Sequence, residues 1–213
     1  MNKIFIFINM RYLTKSDFNK MEKIFRINLI NSCTGYKSAN LIGTKSKSGI
    51  ENLAVFSSVT HLGSNPAVLG YILRPTTVPR NTYKNIKETG FFTVNHITES
   101  IIEDAHHTSA KYHEDISEFD KTKLISEYKD NWTAPYVKGS PVQIGCKYLN
   151  DYFIKENGTI LVVASMETLY FNDELITEDG WLRLDKENVV TINGCDGYAL
   201  PKLINRFEFQ RPK

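Results

Sequence analysis

Residues 52–95 read NLAVFSSVTHLGSNPAVLGYILRPTTVPRNTYKNIKETGFFTVN, and this stretch decides the fold. Two short apolar runs, Leu53–Val59 and Ala67–Leu73, flank a turn signal at residues 63–66. A polar loop and a brief helical segment then lead to a third apolar run, Phe91–Ile97. The order is therefore strand, turn, strand, loop, helix and strand.

The polar loop between the second strand and the helix reads RPTTVPRNT, residues 74–82, with two arginines, three threonines and one asparagine. A helix N-terminus exposes unpaired N–H groups and carries about half a positive charge, and phosphate binds there readily. Asn81 or Thr82 can cap the helix, and Arg74 and Arg80 can add charge-assisted hydrogen bonds. The pattern predicts an anion site, with phosphate as the favoured ligand.

A simpler interpretation of the same loop needs no ligand. In it Thr82 only caps the helix, Arg80 lies in solvent and Arg74 pairs with a carboxylate. Ser57 and Ser58 follow an apolar strand, and two interpretations of them are equally supported. Their hydroxyls line a cleft, or the two residues simply end the strand.

The amino-acid composition limits the classes of protein to which this chain can belong. The 213 residues are 41% hydrophobic and 12% aromatic, which is enough for a buried core and favours β-structure. A net charge of +2 gives no indication of a nucleic-acid partner. Three distant cysteines argue against a disulfide framework and favour a reducing cytoplasm. We see no transmembrane helix or signal peptide, and so expect no membrane partner.

The rest of the chain predicts a mainly β protein with peripheral helices, arranged as a barrel with helices at one end. Residues 1–20 are expected to be a disordered extension or an upstream start, or else an edge strand carrying Ile4, Ile6 and Ile8. Residues 21–213 are expected to form one domain. The predicted elements are strands at 41–43, 142–149, 159–166 and 169–171, turns at 45–49 and 156–158, helices at 99–110 and 116–128, and a tail at 189–209 with a short strand, a loop at 193–198 and an alternating run.

Several other chemistries lack support. Glu103, His106, His107 and His113 lie close together but match no zinc spacing, so we predict no metal site. Gly43-Thr44-Lys45-Ser46 lacks the leading glycine of a P-loop. The chain has no G-x-G-x-x-G and no G-x-S-x-G, which leaves a Rossmann domain and Ser/His/Asp hydrolysis without support.

The chain resembles the flavin reductase-like proteins with the FMN-binding split barrel, especially their flavoredoxin-type branch. The resemblance spans about residues 25–210, and its specificity lies in the order of the motifs. They are NLIGT (40–44), NLAVFSS (52–58), NPA (65–67), RPT (74–76), NTYKNIKETGFFTVN (81–95), AHHTSAKY (105–112) and SEF (117–119), with weaker matches at APYV (134–137), SPV (140–142) and NGT (157–159).

The resemblance implies a homodimeric split barrel with FMN near the subunit interface. Lys111 would reach the flavin or its phosphate across the cleft. The phosphate would be surrounded by Arg74, Thr76, Thr77, Arg80, Asn81 and Thr82. The flavin ring would meet Phe56, Ser57, Ser58 and Val59, largely through backbone groups.

The implied activity is that of an oxidoreductase that passes reducing equivalents from NADH or NADPH through FMN to an acceptor, with no side chain needed as a catalytic acid or base. Two alternatives remain open. One is a flavoredoxin-like electron-transfer or flavin-carrier protein without nicotinamide turnover of its own. The other is a haem- or ligand-binding barrel, although no convincing axial-ligand arrangement is present.

Overall fold

The computed structural model describes residues 10–212, which form four α-helices and twelve β-strands. The alternating Ile4, Ile6 and Ile8 lie outside this range. The helices are α1 (Lys15–Lys20), α2 (Lys23–Ser32), α3 (Asn81–Thr89) and α4 (Ile102–His107). The strands are β1 (Lys37–Ser38), β2 (Asn40–Lys45), β3 (Glu51–Phe56), β4 (Thr60–Ser64), β5 (Ala67–Leu73), β6 (Phe91–His96), β7 (Ser126–Glu127), β8 (Tyr136–Val137), β9 (Val142–Ile154), β10 (Thr159–Phe171), β11 (Thr191–Asn193) and β12 (Gly197–Ala199).

The main sheet has seven antiparallel strands in the order β3-β2-β6-β9-β10-β5-β4. A flat sheet of this size would hold its edge strands about 29 Å apart. Yet β3 and β4, the two edges, are joined only by residues 57–59, and such a link spans at most about 14 Å. The sheet must therefore curl into a barrel whose seam lies between β3 and β4.

Two hydrophobic clusters lie on opposite faces of β2, because successive side chains along a strand alternate. Ile42 belongs to the larger cluster, which fills the barrel together with Tyr71, Ile86 and Phe92. Leu41 belongs to the smaller one, where Phe119 and the chain after α4 cover the outside of β2 and β3. A small sheet, ordered β1-β11-β12, lies beside this second cluster and contributes Ile192 to it.

Most of the predicted strands are confirmed, and the mainly β class with peripheral helices is confirmed with them. The run Ala67–Leu73 is β5 without a change of boundary, and residues 156–158 turn between β9 and β10 as expected. The predicted strands at 159–166 and 169–171 are one strand, β10, with a register irregularity between Met166 and Thr168. Part of the predicted N-terminal extension forms α1, which Thr14 and Asp17 begin with a capping box.

The helix predicted over 116–128 is wrong. This segment holds one 3-10 turn, Glu118–Lys121, and the two residues of β7. Phe119 and Leu124 are buried in the smaller cluster, and the Glu118 carboxylate accepts a hydrogen bond from the Leu53 N–H of edge strand β3 at 2.8 Å. The structure of residues 116–128 is therefore set by their packing over edge strand β3, and not by a helical period. The alternating run in the tail also forms no strand within the described chain.

Candidate functional site

A cleft of about 1020 Å³ opens where the ends of β3 and β5, the start of α3, the loop after α4 and the β11–β12 turn meet. It gathers eight of the predicted site residues, namely Phe56, Ser57, Ser58, Arg74, Arg80, Asn81, Thr82 and Lys111. Val59 instead packs against the larger core cluster. Thr76 and Thr77 are exposed in the loop after β5 and do not line the cleft.

The start of α3 forms one end of this cleft. The prediction that Asn81 or Thr82 caps the helix is wrong, because the helix begins at Asn81 and Arg80 is its N-cap residue. Arg80 cannot accept a hydrogen bond from the first turn, no side chain among residues 10–212 caps the helix, and no acidic residue stands in that turn. The positive end of α3 is thus left open to an anion.

Two guanidinium groups stand beside this open helix end. Arg74 is exposed, and its Nη2 contacts the Cys195 Sγ at 3.4 Å. Arg80 is half-buried and makes only long contacts, 3.3 and 3.4 Å, to the carbonyl of Pro75. Burial and, after it, the nearby Arg74 charge lower the pKa of Arg80. Across residues 10–212, neither arginine has a carboxylate within 4.0 Å.

These contacts oppose the simpler interpretation of the loop. Thr82 does not cap the helix, Arg80 is not fully in solvent, and Arg74 contacts a thiol in place of a carboxylate. Two neighbouring positive charges, neither paired with a carboxylate within 4.0 Å among residues 10–212, repel each other, and an anion between them would relieve that repulsion.

Buried polar contacts fix the helix start in place. The Asn52 Nδ2 donates to the Thr82 Oγ1 at 3.1 Å, and the Asn85 Nδ2 donates to the Thr44 Oγ1 at 3.1 Å. All four side chains belong to buried residues. Because the Thr82 oxygen accepts from Asn52, its hydroxyl proton remains able to donate toward the cleft.

One wall of the cleft comes from the link between β3 and β4. The Phe56 ring packs edge-on against Tyr71 in the core, with centroids 5.0 Å apart. The Ser58 hydroxyl both accepts from the Ile72 N–H and donates to the Ile72 carbonyl, which ties the link to β5. Since the Phe56 side chain at the end of β3 and the Ser58 hydroxyl of the link are engaged in this way, this wall offers a ligand mainly backbone groups and the Ser57 side chain.

The loop that follows α4 also lines the cleft. Lys111 is exposed there, and the His107 Nε2 lies 2.7 Å from the Tyr112 hydroxyl. The buried Glu118 also lines the cleft. Burial raises the pKa of its carboxyl, although the hydrogen bond from the Leu53 N–H acts in the opposite direction.

Sequence reasoning missed several residues of the lining. Asn52 and Glu118 lack a local signal, since each owes its place to contacts with distant parts of the chain. The β11–β12 turn was recognised as a loop, and its glycines could have marked it as a close approach to the cleft. The missed lining includes Asn52, Thr108, Ser109, Ala110, Tyr112, Glu118, Gly194, Cys195 and Asp196.

Neither a metal-binding cluster nor a membrane span is found in residues 10–212. No three His, Cys, Asp or Glu side chains there converge on one point. None of the helices in that range combines the length and the apolar character needed to cross a bilayer.

A seven-stranded barrel with an open seam, and a cleft lined by Arg74, Arg80 and the uncapped start of α3, define a split-barrel protein with a candidate ligand cleft. Residues 36–183 match the flavin reductase like domain. The chain belongs to this family, as the resemblance indicated. An uncharacterized protein of Aquifex aeolicus is 32% identical over 108 residues, which cover 50% of this chain and 55% of that protein. The match thus spans about half the length of that relative.

Solved structures share the fold. A Shewanella frigidimarina NCIMB 400 protein, assigned as a flavin reductase with a split barrel domain, is 39% identical with a TM-score of 0.91, over 94% of this chain and 100% of its own. Flavoredoxin of Desulfovibrio vulgaris (Miyazaki F) gives a TM-score of 0.70 at 19% identity, over 82% and 91% of the two chains. An FMN-binding protein from Thermus thermophilus gives 0.67 at 14%, over 83% and 92%. The split barrel and its flavoredoxin-type relatives are thereby confirmed.

Proposed function

We propose that this protein is an FMN-dependent oxidoreductase that takes reducing equivalents from NADH or NADPH and delivers them to an acceptor. When bound, FMN supplies the hydride and electron chemistry, and the protein supplies binding and orientation. The family supports a flavin, and the cleft supports the phosphate-bearing form of it.

The residues at the start of α3 suit the phosphate of FMN. Arg74 and Arg80 offer two guanidinium groups, Thr82 offers a hydroxyl, and the first turn of α3 offers free N–H groups. Guanidinium groups match phosphate oxygens in pairs, and a helix N-terminus favours negative charge. The single observation that carries the proposal is the uncompensated positive charge at this uncapped helix.

The remaining cleft suits a flat ring system. The β3–β4 link and the exposed Lys111 both line it, and we expect the link to meet the flavin ring through backbone groups and Lys111 to reach the flavin from across the cleft. A volume of about 1020 Å³ lies at the upper end of the range for ligand clefts, about 300–1000 Å³. The lining can therefore accommodate FMN and still leave room for a second molecule, which a hydride transfer requires.

We extend the proposal to assembly and compartment. A homodimer is expected, and small molecules are the expected electron donor and acceptor. The two exposed cysteines, Cys33 and Cys195, are free, which agrees with a reducing cytoplasm.

The first experiment measures FMN binding. The purified chain is titrated with FMN and followed by flavin fluorescence and the visible spectrum. Arg74→Ala combined with Arg80→Ala should weaken FMN binding by about 100-fold, because two charge-assisted contacts contribute roughly 3 kcal/mol together. Arg183→Ala is the matched control, since Arg183 pairs with Asp185 and does not line the cleft. Equal FMN affinity in the double variant and the control would remove the arginines from the site.

The second experiment tests electron entry. NADH or NADPH is added to the FMN-loaded protein without air, and the flavin absorbance is followed. Rapid bleaching by either nucleotide is the expected result. Bleaching only by a reduced partner protein would favour the flavoredoxin-like carrier, and a Soret band in place of flavin bands would favour the haem-binding alternative.

A further inference from the structure

Residues 200–212 form an arm without regular secondary structure, and its apolar side chains face solvent. The exposed fraction is 93% for Ile204, 78% for Phe207 and 91% for Phe209. Within the described chain, the arm makes no backbone–backbone hydrogen bond. Leaving such side chains in water forfeits about 1.5–3 kcal/mol for each, so a surface that covers them is expected.

The arm nevertheless follows a defined course. The Arg206 Nη2 forms an ion pair with the Asp179 Oδ2 at 2.6 Å, and the guanidinium lies 4.6 Å from the centre of the Trp181 ring. This anchor directs the arm along the loop after β10. It also leaves Phe207 and Phe209, on either side of Glu208, free of the body of the chain.

Helix α2 is a second apolar surface without a cover. Its sequence KIFRINLINS places apolar side chains on all sides, and none of its residues is buried. Although half of its residues are apolar, α2 packs extensively against no other helix or strand among residues 10–212. Its exposed apolar residues are Ile24, Phe25, Ile27 and Ile30.

The arm and α2 of the same chain join the small sheet at different places. Helix α2 leads into β1, and the arm leaves β12; these are the two outer strands of the small sheet. Lys37, the first residue of β1, pairs with Ile192, whereas Ala199, the last residue of β12, pairs with Thr191. The two elements thus leave the sheet at opposite ends, and the contact that holds the arm is the one with Asp179.

We propose that two copies of this chain exchange their arms, the arm of each packing on α2 of the other. A single two-fold axis allows both arms to pack at once, because each copy carries one arm and one α2. The inference rests on the homodimer of the proposed function and names the elements that form it, but it does not depend on flavin. It also gives the second copy a place beside the cleft, since Asn31 at the end of α2 lines the cleft.

Sedimentation velocity of the full chain, with and without FMN, tests the assembly. The wild-type protein should sediment at twice the chain mass in both conditions. Phe207→Ser with Phe209→Ser, and separately Ile24→Ser with Phe25→Ser, should each raise the dimer dissociation constant by about 100-fold. Tyr152→Ser with Phe153→Ser is the matched control, since these exposed side chains lie on β9, and it should remain dimeric.

A mixing experiment tests the exchange with single substitutions. Phe25→Cys protein and Phe207→Cys protein are mixed and oxidised, and a disulfide-linked dimer should form in the mixture well above the level of either variant alone. The unsubstituted chain, with exposed Cys33 and Cys195, gives the background.

A monomeric wild-type protein, a dimer unaffected by both double substitutions, or no excess of linked dimer in the mixture would overturn the proposal. Binding of the monomer to anionic lipid vesicles through the arm would overturn it in favour of a membrane surface. A protein that sediments at twice the chain mass but does not bind FMN would count against the proposed flavin site alone, and not against the exchange of arms.

Discussion

Arg74 and Arg80 show how far single residues can be interpreted from sequence. Their type and their place before a helix predicted an anion site, and both line the cleft. The local sequence could not show that they lack a carboxylate partner, because that depends on the β11–β12 turn, about 120 residues away, where Cys195 meets Arg74. Asn52 was missed for the same reason, since it contacts Thr82 only in the folded barrel.

Glu118 gives a prediction at this scale. Burial raises the pKa of its carboxyl in the folded protein. The stability that it contributes is therefore fully present below its unfolded pKa and is lost as the pH rises through the folded pKa. The free energy of unfolding of the wild type, minus that of Glu118→Gln, should decrease from about pH 4 to pH 7. Urea unfolding at several pH values measures this difference.

Glu156→Gln is the control for that series. Glu156 is an exposed carboxyl in the β9–β10 turn, so its replacement reports the general effect of removing one negative charge. A difference for Glu118→Gln that stays constant with pH, or that increases as pH rises, would contradict a raised pKa for this carboxyl.

Among the elements, α3 is the one on which the site depends, and its outer side is held by polar contacts. The Asp151 carboxylate of β9 accepts hydrogen bonds from Tyr148 at 2.7 Å, Lys87 at 2.8 Å and Tyr83 at 2.9 Å. Burial alone would raise the pKa of Asp151, but the hydrogen bonds from Lys87, Tyr148 and Tyr83 outweigh it and lower the pKa. The ionised carboxylate therefore fastens α3 to the barrel at neutral pH.

Asp151→Asn should lower the free energy of unfolding at pH 7 by about 1–2 kcal/mol, a figure reduced for the partial exposure of the Lys87 pair. The loss should shrink as the pH falls through the folded pKa of Asp151, because the wild-type carboxylate is then protonated too. Urea unfolding of both proteins at pH 7 and pH 3 measures it. Asp120→Asn, an exposed substitution, is the control, and an equal effect of the two would refute the role of Asp151.

The elements that sequence predicted well are those with a clear period and clear ends. Strand β5 has an apolar run bounded by turn residues, and α3 ends at Gly90, which adopts a left-handed conformation with φ of 81°. Segment 116–128 was misjudged because Phe119 and Leu124 are buried by a covering segment that takes no regular form. Helix α2 was not recognised as a helix because its apolar residues follow no helical period.

At the scale of the whole molecule, closure of the barrel brings the site together. The cleft is lined by segments that start near residue 31 and end near residue 196, and most of them meet only because β3 and β4 face each other across the seam. Alternation and turn signals predicted a barrel, but the strand order that closes it follows from long-range pairing. That is why the β11–β12 turn, and every residue of the loop after α4 except Lys111, entered the site only with the structure.

A ligand that bridges so many segments should stabilise the entire fold. FMN at about 100 times its dissociation constant adds roughly 2.7 kcal/mol to the free energy of unfolding, which corresponds to an increase in Tm of about 5–10 °C for a chain of this length. Riboflavin, which lacks the phosphate, should give a much smaller increase at the same concentration, because it leaves Arg74 and Arg80 without a counter-charge. Differential scanning fluorimetry with an extrinsic dye outside the flavin band, or calorimetry, compares the increase in Tm that the two ligands give.

The double variant Arg74→Ala with Arg80→Ala should lose the difference in Tm between FMN and riboflavin, while Arg183→Ala should retain it. Equal stabilisation by both ligands in the wild type would mean that the flavin ring alone is recognised and that the positive end of α3 binds some other anion.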